Sequence, residues 1–154
     1  MNYSEEIKRI YGNKIRIRVC GILEKDGKYL LVNHSKLNDD NIFWNFPGGG
    51  VDKNETLENT LVREFKEETN IDITLDKFIF LNQVIASSLH AIELYFSVFA
   101  ENFDNKTGHD PEIDIITETK WMTEGEILTL PAEHKPKFFS NLKSINDLNF
   151  QNQA

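Results

Sequence analysis

GGGVDKNETLENTLVREFKEETNI, residues 48–71, decides the fold class because it joins a glycine-rich turn to an unusual amphipathic helix. Pro47 and the three consecutive glycines exclude a long regular element before the helix. Helical periodicity then predicts a helix over about residues 55–69. Strand-like segments lie on both sides of this helix along the chain. The pattern predicts an α/β (or α+β) fold with a mixed β-sheet.

The predicted helix carries glutamates on the face that should be buried. At ~100° per residue, with Glu64 at zero, three apolar side chains fall between ~20° and ~100° and define the buried stripe: Leu57, Leu61 and Phe65. Glu68 falls near ~40°, inside that stripe, and Glu67 near ~300°, at its edge. Arg63 lies on the far side, toward solvent. A charged run is ordinarily explained as a solvated helix face. That explanation would turn Glu64 and Glu68 toward solvent, whereas the periodicity turns them toward the core.

Like charges that point inward need compensation. Glu64 and Glu68 form an (i, i+4) pair of like charge, which costs roughly a few tenths of a kcal/mol even at a surface. Partial burial raises that cost. Either a cation binds there, or basic side chains from elsewhere pair with the carboxylates. All the local candidate ligands are oxygens, which favours Mg²⁺, Mn²⁺ or Ca²⁺ over zinc or copper.

The glycines fit the cation alternative. Gly48, Gly49 and Gly50 let the main chain pass close to the helix, where a carbonyl would be a further oxygen ligand. A simple tight turn is the other interpretation, and the two are compatible.

The composition is that of an ordinary globular chain. With 154 residues, 40% hydrophobic and 27% charged, it is expected to form one domain over 1–154, with an N-terminal helix within 1–13 and a frayed tail over 147–154. The formal net charge of −8 argues against a general nucleic-acid binder. An anionic substrate would need a local source of positive charge, which a bound metal would supply.

The single cysteine, Cys20, excludes an internal disulfide and is expected to be a buried, inert thiol because it lies in an apolar run. No stretch reaches the length of a signal-peptide core or a membrane span, so we expect no membrane partner and, by default, a reducing cytoplasmic location.

The remaining elements follow from local patterns. Asp26-Gly27 predicts a two-residue hairpin turn. Thr123 is expected to cap a short helix, and a last helix is expected within 135–145. Strands are predicted at 14–23, 29–34, 77–87, 90–101 and 113–122.

The helix and its preceding loop resemble the signature of the Nudix hydrolase family, G-x5-E-x7-R-E-U-x-E-E-x-G-U, in which U is a bulky apolar residue. The matching residues are Gly49, Glu55, Arg63, Glu64, Phe65, Glu67, Glu68 and Ile71. Asn70 stands where the family has glycine, and asparagine is the next-best residue for the left-handed conformation that ends the helix. The order of strands and helices also resembles the family over most of the chain.

The resemblance implies an α/β/α sandwich, with a mixed sheet between helices and the signature as a loop–helix–loop. It implies hydrolysis of a nucleoside diphosphate linked to another moiety, with Mg²⁺ or Mn²⁺ as cofactor. Glu64 and Glu68 would be metal ligands, Glu67 a ligand or the group that activates water, and the Gly48 carbonyl a further ligand.

Other site residues have supporting or alternative roles under the resemblance. Gly49, Glu55 and Arg63 would hold the signature in place. The general base is open between Glu67 and a loop carboxylate, for which Glu112 is the choice because it precedes a strand.

Three residues outside the signature are candidate substrate contacts. His34 ends a strand near where this family places phosphate-contacting side chains, although a surface role is equally compatible with its position. Arg18 could face the phosphates, whereas Arg16 is expected to face solvent. Trp44 is either a stacking platform for a base or a packing partner of Pro47.

Two other functions compete with the enzyme. A catalytically silent Nudix-type domain would bind a nucleotide as a sensor, and should show decay of the metal carboxylates. A purely structural module leaves the inward glutamates unexplained. The sequence leaves the small nucleotide substrate open among oxidised nucleoside triphosphates, ADP-ribose, nucleotide sugars and dinucleoside polyphosphates, and leaves a homodimer open.

Overall fold

The computed structural model describes residues 5–35, 37–86, 89–105 and 116–148, and the mixed α+β class is confirmed. Its helices are α1 (Glu5–Tyr11), α2 (Leu57–Thr69) and α3 (Glu124–Leu128). Its strands are β1 (Ile15–Ile22), β2 (Glu24–Lys25), β3 (Lys28–His34), β4 (Trp44–Asn45), β5 (Gly48–Gly50), β6 (Ile73–Ala86), β7 (Leu89–Ala100) and β8 (Ile116–Thr123).

The strands divide between two sheets, where the sequence had suggested one. The first sheet has the order β5-β1-β7-β6, with β1 and β7 parallel and the other neighbours antiparallel. The second is antiparallel, in the order β2-β3-β4, and β8 also pairs with β3. The division arises at Leu23, where the chain leaves β1 for the hairpin of the second sheet. The predicted hairpin turn is confirmed, since Asp26 and Gly27 have φ values of 53° and 76°.

Two large clusters of apolar side chains form the core. One contains side chains from both sheets and the C-terminal segment, with Phe80 stacked on Tyr95 at 4.4 Å between ring centroids. The other contains Leu61 and Phe65 of α2 and attaches the helix to the strands. Cys20 is fully buried, as expected, and burial raises the pKa of its thiol to about 12.

Helix α2 begins and ends at residues suited to those positions. The Thr56 side chain accepts a hydrogen bond from the Asn59 amide at 3.0 Å. At the other end Asn70 has φ 62° and ψ 18°, the left-handed conformation expected of it. Leu57 was expected in the buried stripe, and that prediction is wrong: its side chain is 37% exposed because it opens the first turn, before the part of α2 that packs on the sheet.

The large aromatic residue of the signature is accommodated by a glycine in β1. A Cβ atom at Gly21 would lie 2.7 Å from Cε2 of Phe65, so no larger residue fits without displacing the ring. The core therefore accommodates the Phe65 ring through the small residue Gly21 on β1.

The expected last helix within 135–145 is wrong. The chain instead forms two short 3₁₀ turns, Lys137–Asn141 and Ile145–Asp147, separated by extended backbone at Leu142. Pro136 starts the first turn, and the hydrogen bond from the Phe139 amide to the Pro136 carbonyl has the i+3 to i spacing of a 3₁₀ turn. Packing of Phe139 into the core decides this geometry.

The ends of the chain agree only in part with the expectations. Helix α1 lies within the predicted 1–13, and β6 starts four residues earlier than predicted. Leu148, inside the expected tail, is 5% exposed and packs in the core, whereas 149–154 lie outside the described residues. No helix among the described residues is long and apolar enough to cross a membrane.

Candidate active site

The signature glutamates lie where α2 meets the glycine strand β5. Glu64 is 7% exposed and Glu68 is 1% exposed, so the predicted inward direction is confirmed. The Glu67 side chain is 27% exposed and remains reachable from solvent. One turn of the helix thus presents two buried carboxylates and one accessible carboxylate.

Two glycines of β5 are required by close approaches, Gly49 by the Glu64 carboxylate and Gly48 by the backbone of β1. A Cβ atom at Gly49 would lie 2.3 Å from Cδ of Glu64, and one at Gly48 would lie 2.0 Å from the Val19 carbonyl oxygen. The Gly48 amide donates a hydrogen bond to Oε1 of Glu68 at 2.8 Å. The described contact of Gly48 with the site is therefore through its amide, and its predicted role as a carbonyl ligand stays a prediction.

Arg63 is the centre of an ion-pair network. Its Nε and Nη2 atoms bind the two oxygens of Glu55 at 2.8 and 2.9 Å, which is a bidentate pair. Its Nη1 atom lies 2.9 Å from Glu64 and 3.3 Å from Glu67. Hydrogen bonds from Arg63, and then from Thr60, lower the pKa of Glu55 to about 2.

This network corrects the expected position of Arg63. Its backbone lies off the inner face, but its side chain is only 30% exposed and reaches back to the carboxylates. Its long side chain allows this, since the guanidinium lies several bonds from the backbone position that the helical wheel describes. Part of the compensation that the inward glutamates need is thus a basic side chain.

The remaining negative charge fits a divalent cation. One guanidinium faces the carboxylates of Asp52, Glu55, Glu64 and Glu67, and the donor set consists of oxygens, which Mg²⁺ and Mn²⁺ prefer. A Cβ atom at position 49 would fill the space beside Glu64, so the glycine there lets the main chain approach this carboxylate. Glu64, Glu67, Glu68 and the β5 backbone are the groups that would hold such an ion.

A different trio has the tightest grouping of metal-ligating atoms in the described part of the chain. Ligand atoms of Asp40, Glu133 and His134 lie within 4.8 Å of one another on two loops. Its two carboxylate residues are exposed, and Nε2 of His134 lies 3.0 Å from Asp40, which is an ordinary surface contact. Among the described residues, the signature carboxylates do not gather this closely.

A cavity of about 570 Å³ opens beside the glycines, a size typical of small-molecule sites. Gly48 and Gly49 form part of its wall, and Arg16, Arg18 and His34 also line it. The cavity therefore borders the two glycines that Glu68 and Glu64 approach, and it carries basic groups of its own.

The two arginines of β1 have different partners. Arg18 forms a buried ion pair with Glu93 of β7. The Arg16 guanidinium lies 3.6 Å from the centroid of the Tyr11 ring, and its Nη2 atom would be 2.9 Å from a Cβ at Gly50. Arg16 was expected to face solvent, and that expectation is wrong, because α1 covers this face of the sheet and Tyr11 holds the guanidinium beside the glycine strand.

His34 is a buried neutral histidine rather than a surface residue. It is 5% exposed, and burial, together with the charges of Arg18 and Arg16, lowers its pKa to about 3. Among the described residues, its Nε2 is the one buried side-chain nitrogen or oxygen without a hydrogen-bond partner. Because His34 lines the cavity, a bound molecule can supply the missing partner.

One candidate residue, Trp44, does not line the cavity. Trp44 is 7% exposed and belongs to the core cluster, so the packing interpretation describes it and the stacking role does not. Glu112, the chosen loop carboxylate, lies outside the described residues.

Sequence reasoning missed Asn82 and Glu93, which also line the cavity. Glu93 left a signal, since it is the one charged residue within the apolar run of β7. Asn82 left a weaker one, a short amide side chain inside an apolar strand.

Comparison with known proteins agrees with this geometry. A family model described as the NUDIX domain matches residues 12–142. A solved NUDIX hydrolase from Nitrosomonas europaea superposes with a TM-score of 0.67 at 25% identity, covering 79% of this chain and 80% of that one.

Two curated proteins of Escherichia coli K12 are similar in sequence. The phosphatase NudJ is 30% identical over 116 residues, which are 75% of this chain and 72% of that protein. The CTP pyrophosphohydrolase is 37% identical over 65 residues, which are 42% of this chain and 48% of that protein. The second match therefore spans about half the length of the relative.

Proposed function

Because the chain belongs to the Nudix hydrolase family, we propose that it is an active pyrophosphohydrolase that uses Mg²⁺ or Mn²⁺. Its substrate would be a nucleoside diphosphate linked to another moiety, such as a further phosphate, a ribose or a sugar. Water would attack at phosphorus, and the products would be two phosphate compounds.

One observation carries the proposal: two buried carboxylates, Glu64 and Glu68, lie against a glycine strand that lines a cavity with two arginines. Arg63 and the Gly48 amide offset part of the cost of burying these like charges, and a divalent ion would offset the rest. An anionic substrate entering a protein of net charge −8 requires the same local positive charge.

The chain's own residues would divide the work. A divalent ion, when bound, would neutralise the pyrophosphate and lower the pKa of the attacking water. Glu64 and Glu68 would hold the ion, and the Glu55–Arg63 pair would keep α2 in register with β5. Glu67, the accessible carboxylate, would accept the proton of the water, with Glu112 as the alternative base.

Substrate contacts would come from the cavity. The neutral ring of His34 would form a hydrogen bond with the substrate, since its low pKa leaves it uncharged near neutral pH. Because Arg18 is paired with Glu93, it would position the substrate more than it would supply unpaired positive charge. Similarity to a CTP pyrophosphohydrolase favours a nucleoside triphosphate among the open substrates.

The silent sensor is the weaker alternative. A domain that only binds nucleotides does not need the metal carboxylates, yet the four signature glutamates at positions 55, 64, 67 and 68 are all present.

The test is a panel of nucleoside triphosphates, ADP-ribose and nucleotide sugars, assayed with Mg²⁺ or Mn²⁺ and then with EDTA. We expect turnover that EDTA abolishes. The Glu68→Gln variant should retain its fold, because the amide oxygen still accepts from Gly48, but lose roughly 100-fold or more in kcat. Glu58→Gln, on the exposed first turn of α2, is the matched control and should keep wild-type turnover. Turnover that is unaffected by EDTA, or by the Glu68 change, would refute the mechanism.

A further inference from the structure

We infer that the cavity selects a nucleobase with an amino group at C4 of a pyrimidine or C6 of a purine, which is cytosine or adenine, and that Asn82 of β6 is the residue that reads this group. The inference rests on the proposed function, because it identifies the base of the substrate that the carboxylate site would cleave.

Strand register separates Asn82 of β6 from the glycine strand β5 by the two strands β1 and β7. Arg18 is the partner of Gly50 in β5 and of Glu93 in β7, and Glu93 is the partner of Asn82 in β6. Neighbouring strands lie about 4.8 Å apart, so the row from Gly50 to Asn82 spans about 14 Å. With phosphates at the glycine end, the far end of this row is the place for the base.

The orientation of the Asn82 amide is set by the network behind it. Its Nδ2 donates to Oε1 of Glu93 at 3.0 Å. The same carboxylate accepts from the Tyr95 hydroxyl at 3.2 Å and from Arg18. In each of these contacts Glu93 is the acceptor, so the NH₂ group of Asn82, and not its oxygen, faces the carboxylate.

The amide oxygen of Asn82 is therefore left for the cavity. Within the described residues, Oδ1 of Asn82 makes no hydrogen bond. It is also not a fully buried atom, since the one fully buried side-chain atom without a partner in this part of the chain is Nε2 of His34. An atom that is neither bonded nor sealed from solvent must be accessible, and Asn82 lines the cavity. Oδ1 of Asn82 is thus a hydrogen-bond acceptor of fixed orientation in the cavity wall.

A fixed acceptor distinguishes amino from oxo bases. Cytosine and adenine would donate an amino hydrogen to Oδ1, whereas uracil and hypoxanthine would place a carbonyl oxygen against it. Two facing acceptors lose the hydrogen bond and leave both groups unsatisfied. We expect kcat/KM for the amino base to be on the order of 10-fold higher or more.

The experiment compares substrates that differ only in this group: CTP with UTP, ATP with ITP, and CDP-glucose with UDP-glucose, using whichever pairs the enzyme turns over. Wild type should prefer the amino member, and the pairs separate a cytosine site from an adenine site. In Asn82→Ala the ratio should fall toward one. Thr74→Ala, an exposed position on the same strand β6, should keep the wild-type ratio.

A second variant tests the same network without removing Asn82. In Glu93→Gln the new amide can donate to Oδ1 of Asn82, which turns the Asn82 NH₂ toward the cavity. The preference should then shift toward the oxo bases, while a thermal melt checks that the fold persists. This variant decides the matter if Asn82→Ala does not fold.

The outcomes separate the two proposals. Turnover with equal kcat/KM for amino and oxo members overturns the base inference and leaves the hydrolase intact. A preference that both folded variants retain also overturns it. No turnover of any pair with either metal overturns the proposed function, and the base inference with it.

Discussion

Single atoms decide much of this site, and Gly49 is the clearest case. Gly49→Ala places a methyl group where the Glu64 carboxylate now lies, with 2.3 Å between Cβ and Cδ. The carboxylate is the far end of a flexible side chain, so it moves and the fold survives. A displacement of about 1 Å at a catalytic group can cost on the order of 100-fold, and we expect kcat/KM to fall by about that factor.

The control for Gly49→Ala is Gly125→Ala in α3, where the added Cβ has only a contact at 4.0 Å. Both variants should melt within a few degrees of wild type, and Gly125→Ala should keep full activity. Wild-type activity in Gly49→Ala would mean that Glu64 tolerates displacement and does not hold the ion.

His34 gives a pH dependence of stability with a definite sign. Its pKa is about 3 when folded and roughly 6.5 when unfolded, so between these values the unfolded chain binds the extra proton. Stability from this group is complete above the unfolded pKa and is lost as pH falls toward the folded pKa. Between pH 7 and pH 5, wild type should lose about 2 kcal/mol more unfolding free energy than His34→Gln.

Urea unfolding of both proteins at the two pH values measures this difference directly. The comparison with the variant cancels the other titrating groups, including Asp and Glu side chains that also gain protons in acid. Equal losses in the two proteins would show that His34 protonates as readily in the folded state as in the unfolded one.

At the scale of elements, the C-terminal end of α2 was predicted because the backbone preference of Asn70 acts within a few residues. The cap at Thr56 is equally local but was not predicted, and the helix begins at Leu57 rather than at about residue 55. The C-terminal 3₁₀ turns and the position of Leu57 were not predictable, because long-range packing decides them. Gly21 shows the same limit: only the fold brings it against Phe65.

Asn70 allows the left-handed helix end to be tested. Asn70→Ala should lower the free energy of unfolding by about 1 kcal/mol, because alanine in this conformation is strained. Asn70→Gly, the residue typical of the family, should match or slightly exceed wild type. Chemical denaturation of the three proteins measures this, and activity should be unchanged in both variants. A loss in Asn70→Gly equal to that in Asn70→Ala would mean that the asparagine side chain itself stabilises the helix end.

At the scale of the molecule, the sequence predicted the half of the site that lies on one helix. Spacing along α2 is enough to direct Glu64 and Glu68 inward. The cavity requires parts that are distant in sequence, since Arg18, Glu93 and Asn82 meet only through the parallel pairing of β1 with β7 and the long β6–β7 hairpin. Helical periodicity contains no information on strand pairing. Asn82 and the position of Arg16 beside the glycine strand were therefore not predicted.

The charge balance of the molecule gives the last prediction, which has a readout other than activity. An ion that binds only the folded protein stabilises it by about 2.7 kcal/mol at 100 times its dissociation constant. Saturating Mn²⁺ should therefore raise the melting temperature of wild type and of Glu58→Gln. It should raise that of Glu64→Gln or Glu68→Gln much less, because each has lost a carboxylate from the buried pair.

Non-specific screening would also stabilise a chain of net charge −8, and NaCl at matched ionic strength reveals that contribution. Screening acts on the sum of charges, so it would treat Glu58 and Glu68 alike, whereas a bound ion distinguishes them by position. If Mn²⁺ raised the melting temperature of all four proteins equally, the effect would come from surface charge. The prediction that Glu64 and Glu68 hold the ion would then be wrong.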